Sequence, residues 1–145
     1  MIGIREIMTP RRDLITVPPT ARVAEAGRLM SENSIRHIPV LDEAGALLGI
    51  VSHRDILAAT APKAASAPDD VDTRTVDSIM STPVMTVDPR VSVLHAGLRL
   101  RSLGVGSLAV MHDGRLEGIV TDSDFLCVAI NLLEQLDAVE PAEEF

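Results

Sequence analysis

Two short stretches carry the residues best able to do chemistry. In Ser52-His53-Arg54-Asp55 a hydroxyl is followed three positions later by a carboxylate, and in Thr121-Asp122-Ser123-Asp124 the same pair returns. Each follows a glycine and two β-branched apolar residues, Gly49-Ile50-Val51 and Gly118-Ile119-Val120. That order reads as a strand running into a helix. A carboxylate at a helix entrance sits at the positive end of the helix dipole, where it can accept both hydroxyls of a ribose. A hydroxyl at the strand's end lies beside unpaired backbone N–H groups, where a phosphate can dock. A purely structural reading competes: Ser52 with Asp55, and Thr121 with Asp124, also have the spacing of a capping box with Asp in place of Glu. On the sequence alone both readings stay open.

Phosphates need cations. The first stretch has Arg36, His37, His53 and Arg54 within reach in sequence, with Arg11 or Arg12 as further candidates. The second has Gly106 and Ser107 where Arg36 and His37 stand, and Asp122-Ser123 where His53-Arg54 stand. Two unequal sites are expected. One suits a ligand that carries phosphates; the other is weaker, empty, or takes a less charged ligand.

Catalytic readings fail on residue spacing. His53-Arg54-Asp55 spells the start of a kinase catalytic loop, but Thr60 stands where that loop needs Asn, and no Gly-rich phosphate loop is present. His37, His53, His95 and His112 lack metal-ligand spacing, and no Ser/His/Asp set stands out. Neither an enzyme nor a metal site is expected.

Composition narrows the class. The 145 residues are 46% hydrophobic, enough for a core, yet only 1% aromatic. A bound base must therefore be held by aliphatic side chains. A net charge of −8 repels nucleic acid and anionic membranes. The single cysteine, Cys127, lies between Leu126 and Val128 and is expected to be a buried thiol. The N-terminal residues lack the apolar core of a signal peptide, and no apolar run approaches the roughly 20 residues that span a bilayer. A soluble, cytoplasmic protein is the expectation.

The elements that must position the two stretches follow from periodicity. Helical spacing gives one or two turns over Gly3–Met8, and Leu14–Val17 reads as a short strand. Thr20 is placed to cap a helix from Ala21 to Glu32, with Val23, Ala26 and Met30 on one face. Strands follow over Arg36–Leu41 and Ala46–Val51, joined by a turn at Asp42–Gly45, and Ser52 caps a helix from His53 to about Ala59. The chain then repeats itself. Thr16-Val17 pairs with Thr86-Val87, Val23 with Val93, Ala26 with Ala96 and Val40 with Val110 at one offset. After a turn shorter by one residue, Gly49, Ile50, Val51 and Asp55 pair with Gly118, Ile119, Val120 and Asp124. The expected fold is α+β, with two β-α-β-β-α units spanning 1–60 and 75–130, a linker at 61–74, and a helical extension with an acidic tail at 131–145. The last helix carries an apolar stripe through Phe125, Leu126, Ala129, Leu132, Leu133 and Leu136, which packs either on its own unit or on a second subunit.

Ile35-Arg36-His37-Ile38-Pro39-Val40, Gly49 to Leu57 and Gly118 to Leu126 closely resemble a tandem pair of CBS domains, the Bateman module, over roughly Ile4 to Ala129. Val76-Asp77-Ser78-Ile79-Met80 after a medium linker is similar to the stand-alone pairs of the AcuB-like group. The resemblance implies pseudo-twofold repeats packed through their sheets, clefts for AMP, ADP or ATP (S-adenosylmethionine among the alternatives), and a homodimer. It carries over His37 as a phosphate contact. For the adenine it implies walls from Met8-Thr9-Pro10, Leu14-Ile15-Thr16 and Ile38-Pro39-Val40 in the first unit. In the second the counterparts are Ser81-Thr82-Pro83, Val84-Met85-Thr86 and Ala109-Val110, with Ser107 and Leu108 also expected among the nucleotide-binding residues. The leading reading is a regulatory nucleotide sensor acting through dimerisation or on an unknown target protein. The rival is an interaction scaffold with vestigial clefts.

Overall fold

The computed structural model describes residues 2–61 and 73–139. The element order is β1 (Thr9–Pro10), α1 (Val23–Asn33), β2 (His37–Leu41), β3 (Leu47–Ser52), α2 (His53–Thr60), β4 (Thr86–Val87), α3 (Val93–Leu103), β5 (Ser107–His112), β6 (Arg115–Thr121) and α4 (Asp122–Val139). Short 3₁₀ turns lie at Ile4–Glu6, Arg11–Asp13 and Val76–Ser78. The mixed class and the duplicated order match the expectation. Most of the expected linker and the acidic tail lie outside the described residues.

The two hairpins superimpose in register. Strands β2 and β3 pair antiparallel from His37 opposite Ser52 to Leu41 opposite Leu47, and β5 and β6 from Ser107 opposite Thr121 to His112 opposite Arg115. Each slips register once near its turn, at Val40/Leu41 and at Val110/Met111. The turns need positive φ, which Gly45 (84°) and Gly114 (74°) supply without a Cβ clash.

The expected Leu14–Val17 strand shrinks to one parallel bridge, Val17 with Val40. Thr20 does not cap α1. Arg22 holds the N-cap position, and its side chain makes no capping hydrogen bond to the helix. Chain from beyond the linker does that work instead: Val23 N–H donates to the Arg74 carbonyl at 3.0 Å, and Val76 N–H to that of Ala21 at 2.8 Å. In the second unit Ser92 does cap α3, accepting from His95 N–H at 3.1 Å, and Val93 N–H donates to the Ile2 carbonyl at 3.3 Å.

These contacts reveal an exchange of segments. The N-terminal turn packs on the second unit: Ile4 is fully buried with Val87, Ala96, Leu100, Leu108, Val110 and Val120. Reciprocally, Val76 is buried in the first unit's core with Val17, Val23, Ala26, Met30, Ile38, Val40 and Val51. The sheets are exchanged too. Strand β1 adds to β6, giving the order β1-β6-β5-β4, while Ser81 bridges Ile50 on the free edge of β3. The boundary expected at residues 60 and 75 therefore divides the sequence but not the cores. Between the sheets, Leu41 and Ile50 meet Ala109, Leu116 and Ile119 in a third cluster.

Helix α4 departs from one expectation. None of its side chains is buried; Phe125 packs partly on the second core, but Leu126, Leu133 and Leu136 are 61%, 59% and 64% exposed. Packing on its own unit thus fades after Phe125 and the half-buried Val128. Cys127 is exposed, not buried, because it falls on the side of α4 away from Phe125 and the core. No helix among the described residues is long and apolar enough to cross a membrane.

Because Ile4 completes the second unit's core, Ile4→Ala should destabilise the chain by about 2–5 kcal/mol in urea unfolding. A loss below about 1 kcal/mol would rule out that burial.

Candidate functional site

The first hydroxyl–carboxylate pair opens onto a cavity of about 740 Å³ between the units. That volume is in the range of small-molecule sites. Strand β3 delivers Ser52 to its end, and α2 begins there. Ser52 Oγ accepts from Asp55 N–H at 3.1 Å, and Ser52 N–H donates to Asp55 Oδ2 at 2.8 Å. The capping box is therefore real. It uses only one carboxylate oxygen. Among the described residues nothing donates to Asp55 Oδ1, so a helix cap and a ligand contact can coexist on one side chain. Ser81 Oγ lies 3.4 Å from Asp55 Oδ2, tying the exchanged segment to the motif.

The cavity gathers Arg36, His37, Ser52, His53, Arg54, Asp55 and Ser107 from the expected set. It adds a wall that sequence reasoning gave to the other unit: Ser81 to Met85, which follow the exchanged 3₁₀ turn. It also adds Gly104 to Gly106 and Asp122 from the second unit. Ile50, Leu57, Pro83, Val84 and Met85 supply the aliphatic surface that the low aromatic content required. The absence of a side chain at Gly106 has a local cause. A Cβ there would lie 3.0 Å from His37 Nε2 and 3.6 Å from Asp122 Oδ2.

Other expected residues lie elsewhere. Ile38, Pro39 and Leu108 are fully buried core side chains, and Ala109 packs between the sheets. Thr16 is half-buried ahead of the Val17 bridge and is not among the cavity's walls. Thr86 is exposed on β4 and lines a separate groove beside α3. Arg11 and Arg12, considered as cations for the first site, sit in a 3₁₀ turn packed against β6 of the second unit. Met8-Thr9-Pro10 is likewise on the second unit, with Thr9 opposite Ile119. The clue was present as the echo between Ile7-Met8 and Ile79-Met80, but either turn fits either core.

At the second pair the carboxylate half of this geometry recurs. Thr121 N–H donates to Asp124 Oδ2 at 2.8 Å, with Thr121 Oγ1 at 3.4 Å from the same oxygen. Burial raises the Asp124 carboxyl above its ordinary 3.8, and the Thr121 hydrogen bonds oppose that rise. In the first cavity, burial lowers His37 below its ordinary 6.5, although Asp122 and Asp55 pull the other way.

Comparison with known proteins agrees with this architecture. The CBS domain family matches residues 4–61 and 76–130. A CBS domain-containing protein of Dictyostelium discoideum is 32% identical over 139 residues, covering 90% of this chain and 93% of that one. An uncharacterized protein of Methanopyrus kandleri is 33% identical over 128 residues; these are 88% of this chain but only 63% of that longer relative. Among solved structures, a Vibrio cholerae AcuB protein, named for acetoin utilization, has a TM-score of 0.79 at 35% identity, covering 97% of this chain and 99% of that one. CBSX2 in complex with AMP has a TM-score of 0.77 at 26% identity, covering 92% and 99%. The CBS pair of MJ0100, in complex with 5′-methylthioadenosine and S-adenosyl-L-methionine, has a TM-score of 0.78 at 25% identity, covering 91% and 98%.

The lowered His37 pKa fixes a pH dependence. The unfolded chain binds a proton near 6.5, while the folded chain resists it, so stability falls as pH drops below that value. Melting temperature should decline from pH 7 toward pH 5, and His37→Gln should flatten part of that decline. An identical slope in the variant would assign the effect to other groups.

Proposed function

This chain belongs to the CBS domain family, and from that membership we propose that it is a regulatory module binding an adenosine nucleotide of the AMP, ADP or ATP type in the cavity beside Asp55. The observation that carries the reading is Asp55 Oδ1, which no described residue engages, in a cavity lined by both cations and aliphatic groups. Asp55 accepts the ribose hydroxyls. Ile50, Leu57, Val84 and Met85 hold the base. Arg36, His37, His53 and Arg54 face the phosphate, with the 104–107 backbone close by. Thr121 and Asp124 offer a second, weaker cleft, suited to a less charged adenosyl group such as S-adenosylmethionine. The complexes of CBSX2 and MJ0100 support adenosyl ligands of both kinds.

The mechanism is linkage. The cavity draws walls from both units, so a ligand there biases how they pack, and only a difference in affinity between two packings transmits a signal. The output passes through assembly or a target protein in the cytoplasm, with no chemical step in the module itself. The exposed leucines of α4 favour a homodimer through that helix. They also support the second reading, a scaffold whose working part is this surface and whose clefts stand empty.

Calorimetric titration with AMP, ADP, ATP and S-adenosylmethionine separates the two. At about 100 times its dissociation constant a bound nucleotide should stabilise the chain by roughly 2.7 kcal/mol. Asp55→Asn, which can still accept from Ser52 N–H, should keep the fold and weaken binding at least tenfold. Undiminished affinity in that variant defeats the site; no binding by any of the four ligands favours the scaffold.

A further inference from the structure

We propose that Asp122 sets the ligand preference of the first cavity, disfavouring polyphosphates and selecting a nucleoside monophosphate. This rests on the nucleotide-binding reading and sharpens it. Asp122 belongs to the second unit's motif, at the position that His53 occupies in the first, yet both residues line the same cavity. Its placement is fixed. Asp122 N–H donates to the Gly106 carbonyl at 3.1 Å, and its own Oδ1 accepts from Ser123 N–H at 2.9 Å. The other oxygen, Oδ2, is left facing the space above Gly106, where His37 Nε2 also lies.

A charge tally gives the consequence. Arg36 and Arg54 bring two positive charges to the walls, and Asp55 and Asp122 bring two negative ones. His37 adds little positive charge at neutral pH, since burial holds its proton affinity down. With Asp55 engaged by ribose, the two arginines offset the dianion of a monophosphate, and Asp122 remains as the uncompensated negative charge. Each further phosphate adds negative charge with no further arginine among the walls, while Asp122 lines the same space. Asp122 is exposed, yet an unpaired like charge within several ångströms near a protein surface weakens binding about tenfold.

Asp122→Asn tests this without changing shape, because the amide oxygen can still accept from Ser123 N–H. AMP and ATP are titrated calorimetrically into wild type and variant with EDTA present, and the His37 ring proton is followed by NMR through a pH titration. Wild type should prefer AMP. The variant should raise the ATP-to-AMP affinity ratio about tenfold, and its His37 should titrate at lower pH. An unchanged ratio, a wild type that prefers ATP, or an unmoved His37 overturns the role of Asp122. If binding in those cases still falls with Asp55→Asn, the nucleotide site survives and only the selectivity claim is lost. Should wild type bind neither nucleotide, both claims fall together.

Discussion

At Gly49 and Gly118 the fold has no room for a side chain, and the rest of the architecture depends on that. A Cβ on Gly49 would lie 2.6 Å from Met80 Sδ, and one on Gly118 would lie 2.5 Å from the Thr9 carbonyl oxygen. Through these two gaps the segment leading into each repeat lies flat on the last strand of the other. Sheet edges are thereby covered, which removes a route to unwanted pairing. Each core also gains an apolar plug, Val76 in one and Ile4 in the other. The two repeats cannot come apart without opening both cores.

The same exchange builds the cavity. The residues after Met80 continue past β3 and form a wall of the cavity that also holds Ser52 and Asp55. A site that looks from its motif like the property of one repeat is in fact shared. His37 and Asp55 come from the first repeat, Ser107 and Asp122 from the second, and the aliphatic surface from both: Ile50 and Leu57 of the first, Pro83, Val84 and Met85 of the second. This shared construction is what a sensor needs, since a ligand touching both halves responds to their relative packing.

The motif carries two duties that the sequence could not separate. A hydroxyl and a carboxylate three residues apart satisfy a helix terminus, and the hydrogen bonds at Ser52 and Asp55 show that they do. A carboxylate has two oxygens, however, and the cap occupies one. Structural and binding readings are therefore compatible at the level of atoms, though they compete at the level of residue types.

Much was legible from local pattern. The hairpins, α1 and α3, the capping pairs and the duplication follow from periodicity, turn glycines and repeated spacing, which act over a few residues. The aliphatic character of the cavity followed from a chain almost without aromatic residues. What the sequence left open involved choices between equivalent partners. Ile7-Met8 and Ile79-Met80 are interchangeable as strings, so nothing local says that each serves the opposite repeat. Thr20 has the right chemistry for a cap, but the Val23 N–H is taken by the Arg74 carbonyl, from the far end of the linker. Cys127 has apolar neighbours in sequence, yet on a helix its neighbours in space are three and four residues away, and there the chain is exposed. Local order is encoded in short-range sterics and hydrogen bonding; which of two matching surfaces is covered, and by what, is settled only when the whole chain competes for the same buried volume.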